Sequence, residues 1–589
     1  MADTTHDEMV RRKQYQLFYT AINSPELKFT ALYGLILWDV WLKEALKQVL
    51  SNKGAKTPGV DGVTKDDLKT EEAQIKLLDD LAIQLKDGSY QPQPVKRVYI
   101  PKANGKLRPL GIPTIRDRVI QAAVKNLMEP IFEADFKDCS YGFRPNRGCW
   151  DALAEIGQYL KRPSNYEWVV EGDIHDCFGS IDHDILMKQV RRRISDNRLL
   201  TLIWLMLKAG VMEDLRYYSA AAGTPQGGIV SPLLANIYMH QLDEWAAKHS
   251  HNLTVNQRYS RRTKGYPTLR LTRYADDFVI SVKGTREQAE AIRDEIANLL
   301  KTKMRMELSL DKTLITNRTD GFVFLGIKVG YGQSHIQQDS EGKGKWNVYY
   351  LPSEKAIKRY KEKVSELTNR QVYSQDEVEI IRSLNRFIKG WCGYYQNANS
   401  SKTFSTLTHW TWHRVFHWLR DLHQMGMKEA FHRFYVAPNI PINKHPTRKD
   451  KRLGTWDDKG RHYALWPPDL IPIRYWKYRG NNIPLKFAEV LNVAPRQHPS
   501  LPNYDVEPWP IGGDNPRDTA EYRNSREIVW ERDRSICQKC KDLIPKGEGH
   551  VHHIDGNPTN NDPENMELLC FICHTETVTY GRRKKKELP

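Results

Sequence analysis

The sequence predicts a multidomain α+β protein with roughly three or four domains. The first observation is length, because 589 residues exceed what one hydrophobic core usually serves. The second is a mixture of helical patterns with short, separated β-branched runs, which is typical of an α+β core. The third is a change of character from residue 353, where strands give way to amphipathic helices and then to a proline-rich stretch.

Charge narrows the class of protein. The chain carries a formal net charge of +17 with a pI near 9.2, and this excess of cations favours a polyanionic partner such as nucleic acid. A basic soluble protein without such a partner is the plainer alternative. No hydrophobic signal segment opens the chain, and the most apolar stretch, from Leu32, is short and contains Asp39. We therefore expect no membrane partner and a cytoplasmic location, in a bacterium or an organellar matrix.

The first 160 residues read as helices that flank one hairpin. Apolar periodicity predicts helices within residues 1–50, 114–135 and 150–160. Between the first two lie the turn-rich loop "KTPGVDG" and the run "PVKRVYIPKANGKLRPLGIP". The Asn104-Gly105 dipeptide inside that run is a strong turn signal, so we expect two basic strands joined as a hairpin.

Short strands separated by helices continue along the next half of the chain. The runs "EWVVEGDIHDCF" and "FVFLGIKV" each predict one strand, and "YADDFVISV" predicts strand–turn–strand. A glycine-rich loop enters a helix in "GTPQGGIVSPLLANIYMHQLDEW", and "REQAEAIRDEIANLLKTKM" is amphipathic with a helical period. This alternation predicts one α+β core for the region.

Beyond residue 353 the pattern is helical and then irregular. Ser353 is a candidate N-cap for the first of these helices. Ser374 and Glu377 have the spacing of a capping box before a second helix. Prolines, tryptophans and basic residues then alternate, as in "YWKYRG" at 475–480, so we expect a loop-rich segment there.

Two adjacent acids, Asp276 and Asp277, interrupt the apolar run "LRLTRYADDFVISVKG". One aspartate in a hairpin turn is ordinary structure, but two unpaired carboxylates among strand formers are costly to bury. Exposed together at a turn they could bind Mg²⁺, which prefers carboxylate oxygens and substrate phosphates. Asp173 also closes a β-branched run and could complete a two-metal site. Such a site can stabilise both the attacking and the leaving oxygen of a phosphoryl displacement, and the substrates would then be a nucleoside triphosphate and a 3′-hydroxyl.

The motifs around these acids occur in a characteristic order. They are "KTPGVDG", "YIPKANGKLRPLGIPT", "DRVIQ", "SYGFRPNRGC", "DIHDCF", "TPQGGIVSPLLANI", "YADD" and "FLG". In this order they resemble the reverse transcriptases encoded by group II introns. The resemblance covers most of the chain and implies a right-hand polymerase of fingers and palm with a helical thumb. It also implies a loop-rich DNA-binding region and a small zinc-stabilised ββα His-Asn-His (HNH) module.

The implied domain boundaries follow from the same resemblance. Residues 1–345 would be the fingers and palm with an N-terminal extension, and 346–437 the thumb, or maturase (X), domain. Residues 438–515 would be the DNA-binding region, and 516–589 the HNH endonuclease domain.

The resemblance also implies roles for residues of the first domain. Asp173, Asp276 and Asp277 would be the catalytic acids, with Asp173 and Asp276 as the principal Mg²⁺ ligands. Phe178 would stack under the incoming sugar and exclude a 2′-hydroxyl, so that DNA is made. The other implied nucleotide-binding residues are Lys102 and Arg108 at the triphosphate, Gln226 in the glycine-rich loop, and Lys312 at the pyrophosphate. For Lys312, a solvated surface lysine is an equal alternative.

Aromatic and basic residues interleave in "LNRFIKGWCGYYQ" after this domain. A buried helix with a broad aromatic face is the plainer interpretation. By position, however, the segment resembles the maturase domain of the family, which binds intron RNA. Arg386, Lys389 and Tyr394 are then the candidate RNA contacts, while Trp391 is expected in the core.

Four of the eight cysteines form two Cys-x-x-Cys pairs near the C-terminus, "CQKC" and "CFIC". This usage favours metal over disulfides, and four thiolates in two such pairs are typical of a closed, structural Zn²⁺ site. The other four cysteines are scattered, and we expect them to be reduced core residues. The predicted zinc ligands are Cys537, Cys540, Cys570 and Cys573.

Histidines lie between the cysteine pairs, in "HVHHIDGNPTNNDPENMELLC", and just after them at His574. The segment resembles the HNH nuclease module, and a DNA-binding zinc knuckle is the alternative. The resemblance implies that His553 is the general base, a task that suits neutral imidazole near pH 7. Asn565 would orient the loop and His553. His552 and His574 would bind a catalytic divalent metal.

One departure from the HNH pattern affects the expected metal. Some HNH nucleases carry a further histidine where this chain has Val578. With two secure protein ligands the metal would depend on phosphate and water, which Mg²⁺ tolerates better than Zn²⁺. Asp555 or Glu576 could add a ligand.

The resemblance implies an intron-encoded multifunctional protein. It would bind its group II intron RNA, aid splicing as a maturase, and copy RNA into DNA from dNTPs. The HNH module would nick target DNA and supply the 3′-hydroxyl that primes the copy during intron mobility (retrohoming). Two alternatives are an RNA-binding splicing factor with vestigial enzymatic sites and a stand-alone cellular reverse transcriptase, for example in phage defence. The oligomeric state is open, with a homodimer as one option.

Overall fold

The structure is a computed structural model, and it describes part of the chain in two compact units. The described residues up to Phe487 belong to the first unit and those from Ser525 onward to the second. Within the described residues, no helix combines the length and apolar character needed to cross a membrane. The described residues are 2–101, 107–213, 216–218, 223, 227–338, 344–369, 376–436, 451–487, 525, 528–533, 536–539, 550–555, 557, 560 and 562–569. The predicted site residues outside these ranges are Lys102, Gln226, Cys540, Cys570, Cys573 and His574.

Each described β-strand belongs to a sheet of three or four strands or to a two-stranded hairpin, and α-helices join or cover them. The helices in chain order are α1 Ala2–Asn23, α2 Tyr33–Ile36, α3 Asp39–Ser51, α4 Glu71–Asp87, α5 Ile115–Glu133, α6 Cys149–Leu160, α7 His183–Val190, α8 Asn197–Lys208, α9 Ser231–Ala246, α10 Val255–Thr263, α11 Arg286–Met304, α12 Glu354–Leu367, α13 Glu377–Tyr395, α14 Ser401–Leu422 and α15 Met427–Phe434. The strands are β1 Val95–Pro101, β2 Leu107–Ile112, β3 Trp168–Gly172, β4 Val211–Glu213, β5 Arg216–Tyr218, β6 Thr268–Tyr274, β7 Asp277–Lys283, β8 Ile315–Asn317, β9 Phe322–Phe324, β10 Ile327–Gln338, β11 Gly344–Pro352, β12 Tyr435–Val436, β13 Arg452–Trp456, β14 His462–Ala464, β15 His550–His553 and β16 Met566–Leu569. The sheet orders are β2-β1-β4-β5, β6-β7-β3-β8, β11-β10-β9, β12-β13-β14 and β15-β16.

Helix α5 is the centre of the N-terminal half. Thr114 caps it by accepting the Asp117 N–H, and nearly every residue of the helix is buried. Helices α1 and α3 pack against α5, and Trp41 Nε1 donates to Ala123 O at 3.0 Å. The helix predicted over 114–135 is therefore confirmed. The two predicted basic strands after "KTPGVDG" are confirmed as an antiparallel pair, β1 and β2, while the predicted Asn104-Gly105 turn lies outside the described residues.

The sheet β6-β7-β3-β8 separates two apolar cores. Val170 and Ile280 pair in register and belong to a core shared with α5, α9 and α11. Val169 and Val279 point the other way, into a core shared with α6 and α12–α14, since successive strand residues face opposite sides. The apolar core thus continues from this sheet into the helices after residue 353.

The prediction of one strand over "FVFLGIKV" is wrong. The run forms two strands, β9 and β10, in which Phe324 pairs with Ile327. Leu325 and Gly326 make the turn between them with φ of +51° and +78°. Two left-handed residues suit a tight antiparallel turn, but a leucine in that conformation leaves no signal in a sequence pattern.

Two predicted helix starts have different outcomes. Ser353 accepts the Ala356 N–H at the start of α12, so this predicted cap is confirmed. Ser374 lies outside the described residues, but the predicted capping box is wrong at Glu377, which is the first residue of α13 after the N-cap Asp376. An aspartate directly before the helix satisfies the same N–H groups. Strands β13 and β14 also lie inside the segment predicted to be loop-rich, and they pack against α13.

Candidate functional site

Asp276 and Asp277 lie at the turn of the hairpin β6–β7. Tyr274 pairs with Asp277, so the turn itself consists of Ala275 and Asp276. Ala275 has a φ of +61°, a left-handed value that is uncommon for a residue with a side chain and persists only where the surroundings impose it. The strand–turn–strand prediction is confirmed, and the turn presents two carboxylates at one end of the sheet.

A buried arginine holds this turn from inside the protein. Arg273 is fully buried and donates to both carboxylate oxygens of Asp243, at 2.7 and 2.6 Å. The same guanidinium donates to Ala275 O at 2.8 Å, to Asn236 Oδ1 at 3.0 Å and to Ser140 Oγ at 2.7 Å. Burial alone would raise the pKa of Asp243, but the charge and hydrogen bonds of Arg273 lower that pKa to about 2. The turn therefore rests on charge-assisted hydrogen bonds of a rigid, planar group.

The motif "SYGFRPNRGC" lines the other side of the turn. Tyr141 N–H donates to Arg273 O at 2.8 Å, and Arg273 N–H donates to Cys139 O at 2.7 Å. A Cβ atom at Gly142 would collide with the backbone of Ala275. Only glycine allows this close approach, which explains the glycine at this position of the motif.

Asp173 reaches the same end of the sheet from β3. Gly172, just before it, pairs with Phe278 of β7, and a Cβ at Gly172 would collide with the Phe278 ring. The strand pairing therefore brings Asp173 beside Asp277. The Asp173 carboxylate accepts a hydrogen bond from Lys312 Nζ at 2.7 Å.

The carboxylates of Asp173 and Asp276 act on that of Asp277. Asp277 is exposed as a residue at the end of the sheet, but the protein packed around its carboxyl group still desolvates that group and raises its pKa to about 6. The negative charges of Asp276 and Asp173 add to this rise, whereas Arg108 opposes it. Mg²⁺ prefers carboxylate oxygens and would relieve the repulsion, so the residues present fit a magnesium site. Nevertheless, no three or more His, Cys, Asp or Glu side chains in the described part of the chain already converge as a metal site.

Three of the predicted nucleotide-binding residues, Arg108, Phe178 and Lys312, lie in the described part of the chain. Arg108 is exposed on β2, and its charge acts on Asp277. Phe178 is half-buried and packs against the first core. It follows Cys177, whose pKa rises to about 12 through burial and, secondarily, through the charge of Asp276. Lys312 is the third of these residues, and its ammonium group contacts the Asp173 carboxylate.

Arg273 and Asp243 are the site residues that the sequence patterns missed. A signal existed for each, because Arg273 stands inside an apolar strand and Asp243 inside an apolar helical run. Buried charges are paired in folded proteins, so two such charges indicate a buried ion pair. The local pattern does not reveal which charge pairs with which.

The predicted RNA contacts of α13 have different surroundings, although Arg386 and Lys389 are three residues apart and share one face of the helix. Tyr394 donates from its hydroxyl to Leu325 O at 2.8 Å, within the β9–β10 turn. Arg386 is exposed and contacts Glu379 at 2.5 Å, and Lys389 Nζ lies 4.0 Å from the centre of the Trp466 ring. Trp391 is half-buried and packs against the second core, as expected.

The second unit carries the predicted HNH residues on a hairpin. His552 and His553 are consecutive in β15, so their side chains point to opposite faces. Asn565 Oδ1 accepts the Asp555 N–H at 3.1 Å, and Asn565 O accepts the Ile554 N–H at 2.8 Å. Asn565 thus holds the loop that follows His553. Burial lowers the pKa of His552.

Cys537 is the one predicted zinc ligand within the described residues. It is fully buried in a small apolar core with Val551 and Leu568. The neighbouring Gln538 N–H donates to Leu568 O at 2.8 Å. The segment that carries Cys537 therefore packs against the hairpin β15–β16.

Comparison with known proteins identifies two regions of the chain. The description "Reverse transcriptase (RNA-dependent DNA polymerase)" matches residues 100–329, and "Group II intron, maturase-specific domain" matches residues 357–435. Group II intron-encoded protein LtrA of Lactococcus lactis subsp. cremoris is 34% identical across 93% of this chain and 96% of its own length. Protein YkfC of Escherichia coli (strain K12) is 42% identical across 59% of this chain and 94% of its own length.

The matched regions carry the features described above. The first spans the three acids, and the second spans most of α12 and all of α13–α15. Reverse transcriptases require a divalent metal such as Mg²⁺ for polymerisation, and a maturase domain implies binding of group II intron RNA. The chain belongs to the group II intron-encoded proteins, as an RNA-directed DNA polymerase (reverse transcriptase) with a maturase domain.

Proposed function

We propose that Asp173, Asp276 and Asp277 are the catalytic acids of the polymerase, and that Asp173 and Asp276 are its principal Mg²⁺ ligands. The observation that carries this proposal is that the three acids lie at the same end of one sheet. Asp173 directly follows β3, Asp276 lies in the β6–β7 turn, and Asp277 is the first residue of β7. When bound, the metal stabilises the attacking and leaving oxygens of the phosphoryl displacement. The remaining groups of the site bind and orient the nucleotide.

The incoming dNTP would be held by residues around these acids. Arg108 and Lys102 bind the triphosphate, and the electrostatic effect of Arg108 on Asp277 supports its part. Phe178 lies under the sugar. Lys312 acts at the pyrophosphate, and its contact with Asp173 supports an ammonium group within reach of the reaction. Gln226 packs against the nascent base pair.

The thumb would contact intron RNA through α13. Arg386 and Lys389 are exposed on that helix, which suits contacts with phosphate. Tyr394 is half-buried, with its hydroxyl on Leu325 O and its ring beside Trp150, so its surroundings favour Arg386 and Lys389 over Tyr394 as RNA contacts. The segment 438–515 would bind the DNA target, with its basic residues as the physical support.

The C-terminal module would be an HNH endonuclease. His553 acts as the general base, and Asn565 positions the loop after it, which the hydrogen bonds of Asn565 to Ile554 and Asp555 support. His552 and His574 would bind the nuclease metal. Cys537, Cys540, Cys570 and Cys573 would bind a structural Zn²⁺, and the buried position of Cys537 favours a structural role.

One chain would join these activities because a nick supplies a primer. The protein would bind its intron RNA, aid splicing, insert the RNA into target DNA and nick the opposite strand. The new 3′-hydroxyl would then prime copying of the RNA. The active form would be a monomer or a homodimer. The presence of the acids, Phe178, the histidines and the cysteines disfavours a purely structural splicing factor.

The test separates polymerisation from nicking in one reaction. The protein, intron RNA, dNTPs and a target duplex labelled on each strand are combined. Asp276→Asn should abolish DNA synthesis while leaving the nick and RNA binding unchanged, and His553→Ala should abolish the nick while leaving extension of an added primer unchanged. Asp79→Asn, at an exposed site on α4, is the matched control. DNA synthesis by the Asp276 variant, or nicking by the His553 variant, would contradict the corresponding assignment.

A further inference from the structure

After β14 the chain returns to the surface of the reverse transcriptase region as a segment that we call the strap, residues 474–487. Its anchor is Asp151, near the start of α6. Trp476 Nε1 donates to Asp151 Oδ1 at 3.1 Å, and Arg479 donates to both Asp151 oxygens at 2.8 and 2.6 Å. A bidentate arginine–carboxylate pair of this kind fixes orientation as well as position.

The strap is also fixed on either side of this anchor. Arg474 N–H donates to Gln396 O at 2.8 Å, just after α13. Further along, Pro484 O accepts Asn146 Nδ2 at 3.0 Å. Phe487 is buried in the first apolar core. The backbone of the strap is therefore held at several points and does not behave as a free loop.

One aromatic ring of the strap projects into solvent. Tyr475 is 86% exposed, whereas no other large apolar or aromatic side chain in the described part of the chain exceeds 63%. Arg474 and Lys477, which flank it in sequence, are exposed too. Trp476, between Tyr475 and Lys477, is turned to Asp151.

A singly exposed tyrosine is ordinary at a protein surface, so exposure alone decides nothing. Two further features set Tyr475 apart. Its backbone is fixed, so binding through its ring costs little additional ordering. It also lies between two exposed cations in the sequence, Arg474 and Lys477.

We propose that Tyr475 is a stacking platform for an unpaired base of a single-stranded nucleic acid, with Arg474 and Lys477 on the adjacent phosphates. Base–aromatic stacking tolerates any base, and flanking cations follow the backbone. The proposal rests on the nucleic-acid-binding role proposed above for residues 438–515. It adds that Tyr475 makes the contact and that the ligand is single-stranded. DNA and RNA share the stacking chemistry, so both are tested.

The experiment measures binding of the full-length protein to fluorescently labelled oligo-dT, to oligo-U and to a blunt DNA duplex, by anisotropy over a range of salt concentrations. Tyr475→Ala should weaken binding to a single strand by about tenfold and leave duplex binding unchanged. Tyr475→Phe keeps the ring and should bind like the wild type, whereas Tyr475→Leu keeps the bulk alone and should bind like Tyr475→Ala. The salt slope should be unchanged in the Tyr475 variants and should fall by about 0.7 in Lys477→Ala.

Other binding surfaces of a long basic chain could mask this loss of affinity. A second measurement therefore detects contact between the oligonucleotide and Tyr475 directly. Oligonucleotides carrying 5-iodouracil are irradiated on the protein, and the cross-linked peptides are identified by mass spectrometry. We expect a cross-link at Tyr475 that is lost in Tyr475→Leu. The deoxy- and ribo-oligonucleotide arms show which strand is preferred.

The outcomes distinguish the stacking role of Tyr475 from the nucleic-acid-binding role proposed for residues 438–515. If Tyr475→Leu binds and cross-links like the wild type while an Arg474→Ala, Lys477→Ala double variant loses affinity, stacking is refuted and the charge-based role of the segment stands. If neither variant changes binding or cross-linking, the nucleic-acid role of the strap is refuted as well. Thermal unfolding of the Tyr475 variants should match the wild type, because this side chain makes few contacts to lose.

Discussion

Arg273 and Asp243 form an ion pair with fully buried side chains directly behind the turn that carries Asp276. Their closest contact is 2.6 Å, and both side chains are 0% exposed. Asp243 belongs to α9, whereas Arg273 belongs to β6 and also donates to Ala275 O. The pair therefore links the position of a helix to the geometry of the turn.

Removal of the arginine should be costly. In Arg273→Met, Asp243 stays buried without its partner, so we expect the free energy of unfolding to fall by about 3–5 kcal/mol. Arg286→Met is the matched control, because Arg286 pairs with Glu290 in an exposed ion pair that contributes about 1 kcal/mol or less. Denaturant-induced unfolding measures both. Similar losses of unfolding free energy in the two variants would show that the buried ion pair stabilises the fold no more than the exposed one.

The same pair should make stability depend on acid pH. The folded pKa of Asp243, about 2, lies below its ordinary value of 3.8, so the folded state favours the ionised form. Its contribution, about 2 kcal/mol, is present above pH 4 and is lost as the pH falls from about 4 towards 2. Asp243→Asn imitates the protonated group. The gap in unfolding free energy between wild type and this variant should therefore narrow below pH 4, and a constant gap would exclude the ion pair as its source.

Gly172 should tolerate no side chain. Alanine there would collide with the Phe278 ring, one residue from Asp277, and we expect a loss of about 1–3 kcal/mol in unfolding free energy. Primer extension should fall with it. Adding Phe278→Leu should recover part of both losses by making room. Gly54→Ala is the control, since nothing lies within 4 Å of a Cβ there, and a loss as large as that of Gly172→Ala would remove the steric explanation.

The hydroxyl of Tyr394 should stabilise the β9–β10 turn. Tyr394→Phe removes the hydroxyl that donates to Leu325 O and also contacts Cys149, so the unfolding free energy should fall by about 1 kcal/mol. Tyr395 is the matched neighbour, because its hydroxyl lies 3.5 Å from Gly326 O, at the limit of a hydrogen bond. Tyr395→Phe should therefore cost less. The reverse order, measured by thermal or denaturant unfolding, would show that the longer contact is the important one.

Local patterns predicted the elements whose cause is local. The helix over 114–135, the hairpin of "YADDFVISV" and the Ser353 cap follow from periodicity, turn chemistry and capping, which act over a few residues. The turn at Leu325 was missed because a distant residue, Tyr394, holds its carbonyl group. The cap of α13 was misassigned because the spacing placed Glu377 third in the helix, whereas Glu377 is its first residue and Asp376 its N-cap.

By itself, the sequence determined the chemistry that the chain can attempt. The ordered motifs, the acids in "YADD" and the cysteine pairs are readable without a structure, because residue type and spacing carry them. Only the tertiary structure decided which charges pair and which segments meet. Arg273 pairs with Asp243, 30 residues away in the sequence, and the strap binds Asp151, more than 300 residues away. Such partners are selected by packing across the whole fold, and packing between distant segments leaves no period in the sequence.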